Sequence, residues 1–273
     1  MTEPDPLGVT NARPLAVVTG ASSGIGLELA KQFAEHDFDV VVAAEDAAIE
    51  TAADVLRAFG TQVTPVQVDL STYEGCEQLV EQVRAAGRPV EALALNAGVG
   101  SGGDFAETDL RQELQVIAVN VTSTVHLAKR FIPEMVQRQR GKVLVTSSIA
   151  STQPGPYEAV YAATKAFDQS FAEAIRSELK DSGVTVTSLM PGVTETNFFS
   201  RANMDDTRAG SNEKMQDDPA KVAEQGFEAL MKGEEKVVAG NPMNKVMAAA
   251  GRLTPDSVKA ATHKLLSKPG SGE

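Results

Sequence analysis

Tyr161 and Lys165 lie one helical turn apart, and their residue types suit acid–base chemistry. Residues four apart share a helix face, so the lysine charge favours the phenolate form of the tyrosine. A phenol with an ordinary pKa of about 10 is a poor acid or base at neutral pH without such help. Ser148 precedes this pair and offers a hydroxyl to a substrate oxygen, where it stabilises developing charge. Together these side chains predict proton transfer to or from an oxygen atom.

A glycine-rich turn lies far upstream, between an apolar strand and a helix. It reads Thr19-Gly20-Ala21-Ser22-Ser23-Gly24-Ile25-Gly26. Gly20 permits a tight turn, Gly24 lets the backbone approach a pyrophosphate, and Gly26 permits close helix packing. The helix N-terminus presents free N–H groups to phosphate. Because a dinucleotide site accompanies the Tyr/Lys pair, the sequence predicts hydride transfer at a carbon atom that bears oxygen.

Short apolar runs alternate with helical patterns along the chain, which predicts right-handed βαβ crossovers. The predicted strands are 15–18, 40–43, 63–68, 92–95, 142–146, 184–189 and 236–239. The predicted helices are 23–36, 46–59, 72–86, 109–139, 157–181 and 218–232. We therefore expect an α/β fold, a single-domain Rossmann-type doubly wound parallel sheet with helices on both faces.

No proline- or glycine-rich linker is long enough to separate two domains. We expect a flexible N-terminus over 1–12, a catalytic domain over 13–240, and a C-terminal helical extension and tail over 241–273. The segment 196–217 is polar and turn-rich but carries several apolar residues, including Met215, and is predicted to cover the site. The alternative interpretation of this segment is a surface loop that a few apolar side chains anchor to the protein.

Composition excludes several classes of partner. The net charge of −12 disfavours nucleic acid and anionic membranes, which need positive patches. No window approaches the roughly 20 apolar residues of a membrane span. The single cysteine, Cys76, rules out an internal disulfide and a cysteine-based metal cage, and favours a cytoplasmic location. His36, His126 and His263 lack metal spacing, so no metal is expected and surface or packing roles are predicted for them.

The chain resembles the short-chain dehydrogenase/reductase family through motifs that occur in order over residues 15–196. These are the Thr-Gly-Ala-Ser-Ser-Gly-Ile-Gly turn at 19–26, Asn96-Ala97-Gly98, Asn120, Ser148, Tyr161, Lys165, Pro191-Gly192 and Thr196. The resemblance implies an NAD(P)-dependent oxidoreductase that interconverts a secondary alcohol and a ketone, or a primary alcohol and an aldehyde. It implies that Tyr161 is the acid/base and that Ser148 binds the substrate oxygen. It also implies that Asn120 holds a water in a proton relay with Lys165.

The resemblance further implies a set of cofactor contacts, among them a bond from Lys165 to the nicotinamide ribose. The expected cofactor-binding residues are Gly20, Ser22, Ser23, Gly24, Ile25, Gly26, Glu45, Asp69, Leu70, Asn96, Ala97, Gly98, Tyr161, Lys165, Pro191, Gly192, Thr194 and Thr196.

The end of the second predicted strand decides between the two nicotinamide cofactors. An acidic side chain there binds the adenosine ribose, whereas a basic one accommodates the 2′-phosphate of NADP. Glu45 occupies a position that is often basic in NADP-preferring relatives, although the aspartate usual in NAD-preferring ones is replaced by Ala44. We expect NAD(H), with Glu45 at the ribose and Asp69 at the adenine, and keep NADP(H) as the alternative. A solvated loop carboxylate is the other interpretation of Glu45.

The substrate is expected to be a small, partly apolar alcohol or carbonyl compound. Its predicted contacts are Ser148, Pro154, Tyr157, Tyr161 and Phe198, with Gln153 beside them. The family usually forms dimers or tetramers, so a homodimer or homotetramer through 109–139 and 157–181 is expected.

Two other functions remain as alternatives. One is a non-catalytic dinucleotide-binding redox sensor of the same fold, although such proteins typically lose the tyrosine or the lysine. The other is epimerisation or dehydration with a tightly held cofactor, although those relatives usually have a shorter glycine turn. Leu95 departs from the asparagine usual before Asn96, at a position that tends to be structural.

Overall fold

A parallel sheet forms the centre of the protein. The computed structural model describes residues 13–212, 216–251 and 254–272, so the predicted N-terminal segment 1–12 and Met215 lie outside the described residues. Within these ranges seven parallel strands have the order β3-β2-β1-β4-β5-β6-β7. They are β1 Leu15–Thr19, β2 Asp39–Ala44, β3 Val63–Gln67, β4 Val90–Leu95, β5 Gly141–Thr146, β6 Val184–Pro191 and β7 Lys236–Ala239. The predicted α/β, doubly wound fold is confirmed.

Helices connect the strands. The α-helices of the described residues are α1 Gly24–Glu35, α2 Ala48–Arg57, α3 Tyr73–Ala85, α4 Leu110–Ile117, α5 Ser123–Gln137, α6 Ala159–Glu178, α7 Phe198–Arg201, α8 Arg208–Ser211, α9 Pro219–Lys232, α10 Pro242–Gly251 and α11 Asp256–Ser267. None of them is both long and apolar enough to cross a bilayer.

The two faces of the sheet bury separate apolar layers. Alternate residues of β1 face opposite sides, so Leu15 and Val17 join one layer while Ala16 and Val18 join the other. The first layer packs against α3, α5 and α6, and the second against α1, α2 and α9. Every residue of β1 and β2 is buried, as expected for a parallel sheet covered on both faces.

The sheet order reverses between β1 and β4, which are neighbours although β2 and β3 lie between them in sequence. In open α/β sheets a crevice opens at such a point, beyond the carboxyl ends of the strands. The fold therefore fixes where the glycine turn after β1 and the Asn96 loop after β4 meet.

The helix predicted over 109–139 forms over residues 110–137, with a local change of winding inside it. α4 and α5 are separated by a π-helical turn at Ala118–Thr122. The hydroxyls of Ser123 and Thr124 donate to the carbonyl oxygens of Val119 and Asn120, at 2.6 and 2.7 Å. Such side-chain bonds bend helices, and single π-turns are frequent at functional sites. The turn places Asn120 in the interior, where it is fully buried.

The residues after β7 fold back over the carboxyl edge of the sheet. α10 contacts β7, and α11 contacts α8 of the segment 196–217. The tail after α11 binds the same segment, because Gly270 N donates to Asp206 Oδ2 at 2.8 Å and Gly272 N donates to Asp206 O at 2.8 Å.

Candidate active site

A cavity of about 600 Å³ lies at the carboxyl edge of the sheet. It brings together the glycine turn, the ends of β2 to β6, the N-terminal half of α6, the segment 196–217 and parts of α10 and α11. All eighteen residues predicted to bind the cofactor line it, as do Ser148 and Phe198. Asn120, Pro154 and Tyr157 are not among the lining residues.

The glycine turn has the geometry that its sequence predicts. Gly20 and Gly24 adopt φ of 67° and 55°, the left-handed region that glycine enters without strain. A Cβ atom at Gly26 would lie 2.1 Å from Gly20 O and 2.6 Å from Asn96 Nδ2, so no side chain fits there. The third glycine thus allows α1 to begin directly against the turn and the neighbouring loop.

Thr19 joins the glycine turn to the loop after β4 by hydrogen bonds. Its Oγ1 accepts from the backbone N–H groups of Asn96 and Ala97, both at 3.0 Å. Asn96 Nδ2 donates to Thr19 O at 3.1 Å, and Thr146 Oγ1 donates to Asn96 Oδ1 at 3.1 Å. Asn96 therefore joins the ends of β1, β4 and β5 and holds the floor of the cavity.

The start of α1 suits a diphosphate. Ser23 is the N-cap residue, yet its side chain makes no capping hydrogen bond to the helix. The first N–H groups of a helix need external partners and carry partial positive charge. Since Ser22, Ser23 and Gly24 line the cavity, a dinucleotide pyrophosphate fits here.

Acidic side chains surround the expected adenosine end. Glu45 and Asp69 are exposed and line the cavity, and Asp69 Oδ1 accepts from Ser71 N at 2.8 Å. Asp46 and Arg201 join them. Asp46 Oδ2 accepts from Ser22 Oγ at 3.1 Å and from Arg201 Nη2 at 2.9 Å. This contact joins the segment 196–217 to the end of β2, and Asp46 was not predicted from the sequence.

Lys165 is buried and held by two oxygen atoms. Its Nζ donates to Thr146 O at 2.9 Å and to Asp168 Oδ2 at 3.0 Å. A Cβ built on Gly98 would lie 3.3 Å from this Nζ, so the ammonium group reaches the cavity wall beside Gly98. Asp168 was not predicted as part of the site.

The Tyr161 hydroxyl has a raised pKa, contrary to the expectation that Lys165 would lower it. Burial is the main cause, and the negative charges of Glu158 and Asp168 add to it. A hydrogen bond with Ser148 acts in the opposite direction. The tyrosine ring packs against Phe198 with ring centroids 4.9 Å apart. The Lys165 ammonium is itself paired with Asp168 at 3.0 Å.

Asn120 is fully buried outside the cavity lining and binds two elements of the site through its side chain. Its Oδ1 accepts from Val99 N at 2.9 Å, and its Nδ2 donates to Val99 O at 3.0 Å and to Thr164 Oγ1 at 2.9 Å. These bonds occupy the side chain and tie the loop after β4 to α6. The side chain thus positions other elements of the site, and the water-holding role expected of Asn120 stays a prediction.

The predicted substrate contacts divide into two groups. Ser148, Tyr161 and Phe198 line the cavity together, with Gln153 beside them. Pro154 is exposed, and Tyr157, at φ 67°, uses its carbonyl to accept from Gly103 N at 2.9 Å. Neither residue lines the cavity, which corrects the expectation for both: Pro154 is at the surface, and the half-buried Tyr157 ring lies 5.9 Å from Lys264 Nζ of α11.

A polar cluster from two distant parts of the chain completes this end of the cavity. Glu158 Oε2 accepts from His263 Nε2 at 2.8 Å and from Ser267 Oγ at 2.7 Å. Gln153 Nε2 lies 3.1 Å from His263 Nδ1, so this nitrogen accepts and Nε2 carries the proton. His263 is buried and lines the cavity with Leu266, which extends the surface or packing role predicted for it. Within the described residues no group of three or more His, Cys, Asp or Glu side chains could hold a metal ion.

Comparison with known proteins identifies the fold and its relatives. The family model described as short chain dehydrogenase matches residues 14–207. The chain is 37% identical over 185 residues to a 1-deoxy-11-beta-hydroxypentalenate dehydrogenase from Streptomyces exfoliatus, covering 66% of this chain and 67% of that protein. It is 31% identical over 249 residues to the probable oxidoreductase EphD of Mycobacterium tuberculosis, covering 90% of this chain and 38% of that one. The chain spans less than two thirds of the length of several relatives that it matches.

Solved structures show the same architecture. A short-chain dehydrogenase from Sphingobium yanoikuyae in complex with NADPH has a TM-score of 0.78 at 26% identity, over 93% of this chain and 96% of that one. A short-chain dehydrogenase/reductase from Burkholderia phymatum in complex with NAD has a TM-score of 0.78 at 26% identity, over 88% and 92%. The matched family model and the ordered motifs show that this chain belongs to the short-chain dehydrogenase family.

Proposed function

We propose that the protein is an NAD(P)-dependent oxidoreductase that interconverts a secondary alcohol and a ketone, or a primary alcohol and an aldehyde. The observation that carries this proposal is the joint presence of Ser148, Tyr161 and Lys165 in the cavity that begins at the glycine turn. A nicotinamide bound there supplies or accepts the hydride. The chain provides the proton transfer, the orientation of the carbonyl and the exclusion of water.

Each side chain has a separate part in this reaction. In the reducing direction Tyr161 donates its phenolic proton to the carbonyl oxygen, and Ser148 donates a second hydrogen bond to that oxygen. Lys165, fixed at the wall beside Gly98, orients the nicotinamide ribose. Phe198 packs on the Tyr161 ring and keeps water from the reacting atoms.

The environment of Tyr161 suits the proton-donating step. Burial raises the pKa of its hydroxyl, so the phenol is protonated at neutral pH, which is the form that donates a proton to a carbonyl oxygen.

The experiment that tests the function is turnover with NADH and NADPH on a panel of apolar ketones and aldehydes, followed by nicotinamide absorbance. Reduction that depends on Tyr161 supports the proposal. Tight binding of the cofactor with no turnover on any member of the panel would favour the non-catalytic redox sensor.

We predict that NADH binds more tightly than NADPH. Glu45, Asp46 and Asp69 place negative charge at the expected adenosine end of the cavity, where Arg201 is the basic side chain among the described lining residues. An exposed charge pair at about 4 Å is worth roughly 1 kcal/mol in water and more near protein. Glu45→Arg should therefore raise the NADPH affinity about tenfold or more, as measured by nicotinamide fluorescence.

Glu50→Arg is the matched control for this prediction, because Glu50 is an exposed acid on α2 that does not line the cavity. It should leave the preference between NADH and NADPH within about twofold of wild type. Tighter binding of NADPH to the unmodified protein would contradict the cofactor assignment and identify Arg201 as the dominant charge.

We further propose a homodimer or homotetramer. Leu110, Leu114 and Ile117 form one exposed apolar stripe on α4, and Val125 continues it on α5. A second copy of the chain is the occupant proposed for this stripe. Leu114→Glu should lower the molar mass measured by analytical ultracentrifugation to that of a monomer, whereas Val55→Glu, an exposed site on α2, should leave it unchanged. A monomeric wild-type protein would contradict this assembly.

The substrate and the location complete the proposal. Phe198, Phe199 and Leu266 line the substrate end with the polar cluster of Gln153 and His263, so a partly apolar small molecule fits best. Cys76 is buried and its thiol pKa is raised to about 11 by burial and by nearby Glu77 and Asp69. We infer a cytoplasmic location from the cysteine usage alone, since a chain with one cysteine cannot form an internal disulfide.

A further inference from the structure

We propose that Asp168 is a positioning residue for Lys165, which it holds at the orientation required by the nicotinamide ribose. The inference rests on the proposed function of the cavity. Asp168 acts through the lysine, because it does not line the cavity itself.

The geometry of α6 brings the two side chains together. They are three residues apart, so they lie on the same face of the helix. Both are almost completely buried, with 5% of Lys165 and 1% of Asp168 exposed. The separation between Lys165 Nζ and Asp168 Oδ2 is 3.0 Å, a charge-assisted hydrogen bond in an environment with little solvent to screen it.

The donors of the ammonium group can be counted. A lysine has three N–H donors. One is directed to Thr146 O and one to Asp168 Oδ2. These two acceptors fix the direction of the third donor, which remains for a ligand in the cavity beside Gly98. Without Asp168 the ammonium could rotate about its one remaining acceptor.

The second carboxylate oxygen argues against a role in stability alone. Asp168 Oδ1 is buried and has no hydrogen-bond partner among the described residues. A buried carboxylate with one oxygen unpaired is costly, and two apolar residues in place of both Lys165 and Asp168 would be at least as stable. The Asp168 carboxylate accepts its hydrogen bond from Lys165 alone among the described residues. This arrangement is expected if the orientation of the lysine matters more than stability.

Two variants separate positioning from packing. Asp168→Asn keeps an oxygen at the same place as an acceptor, whereas Asp168→Leu removes it. We expect kcat for carbonyl reduction to stay within about threefold of wild type in Asp168→Asn and to fall at least tenfold in Asp168→Leu. The KM for the carbonyl compound should change little in both, because Asp168 does not reach the substrate.

A spectroscopic measurement makes the test independent of turnover. Slow proton exchange should make the Lys165 ammonium visible by heteronuclear NMR, with its signal assigned by its loss in Lys165→Met. We expect the signal to persist in Asp168→Asn and to disappear in Asp168→Leu, with weaker NADH binding only in the latter. Asp54→Asn, which breaks an exposed three-residue-spaced pair with Arg57, is the control and should change none of these quantities.

Several results would overturn the proposal. One is an Asp168→Leu protein that keeps the ammonium signal, the NADH affinity and kcat of wild type, whatever its melting temperature. Another is a fall in kcat in Asp168→Asn that is as large as the fall in Asp168→Leu. If the leucine variant does not fold, loss of the Lys165 ammonium signal in Asp168→Asn would also overturn the proposal. Failure of the proposed function is distinguishable, because wild-type protein would then reduce no carbonyl compound while the NMR comparison remained readable.

Discussion

Tyr161→Phe is expected to lower kcat for carbonyl reduction by about 10²–10⁴-fold, the usual contribution of a positioned general acid. The substitution removes the donor hydroxyl and leaves the ring that packs on Phe198. The dissociation constant for NADH should therefore change by less than about threefold. Steady-state kinetics and nicotinamide fluorescence of the same preparations give the two quantities.

Tyr73→Phe is the matched control, since Tyr73 is 62% exposed on α3 and lies outside the cavity. It should reproduce wild-type turnover. A Tyr161→Phe enzyme with wild-type kcat would remove the tyrosine from the mechanism. A large loss of NADH binding in that variant would also contradict the assignment, because it would show a cofactor defect in place of a missing proton donor.

Lys165→Met is expected to destabilise the protein by about 3–5 kcal/mol at neutral pH, because it leaves the buried Asp168 carboxylate without its partner. The pKa of Asp168 is raised by burial, an effect that Lys165 opposes in the wild-type protein. When the folded state has the higher pKa, the stability penalty is present above that pKa and disappears as the pH falls below it. The loss should therefore shrink in acid, as measured by urea unfolding of both proteins at neutral and mildly acidic pH.

The double variant Lys165→Met/Asp168→Leu provides the control for this prediction. It removes both charges and should recover most of the stability lost in the single variant. An unfolding free energy for Lys165→Met equal to that of wild type at neutral pH would show that Asp168 is solvated or protonated in the native protein.

The sequence predicted those parts of the site that depend on short-range patterns. Gly20, Gly24 and Gly26 are required by the backbone at one turn, and Tyr161 and Lys165 share a helix face, so both features could be recognised locally. The strands were predicted for the same reason, since buried parallel strands are continuous apolar runs. Asp168 was overlooked although its signal is also local, because an acid three residues after a lysine resembles an ordinary surface pair.

Contacts across long sequence separations could not be predicted in the same way. The pair of Arg201 with Asp46 and the pair of His263 with Glu158 join residues more than a hundred positions apart. The sequence around either residue of such a pair does not indicate which distant residue it will contact. The π-helical turn between α4 and α5 was also not predicted, because the sequence pattern indicates a helix over this range without showing a change in its winding.

The tail that binds Asp206 has a consequence for how molecules leave the protein. α11 holds Glu158, at the start of the catalytic helix, while the residues after α11 hold the segment 196–217. An outward swing of that segment either breaks the backbone hydrogen bonds at Gly270 and Gly272 or carries α11 with it. For the proposed enzyme, product escape and cofactor exchange are thus coupled to the hydrogen bonds that Gly270 and Gly272 make with Asp206.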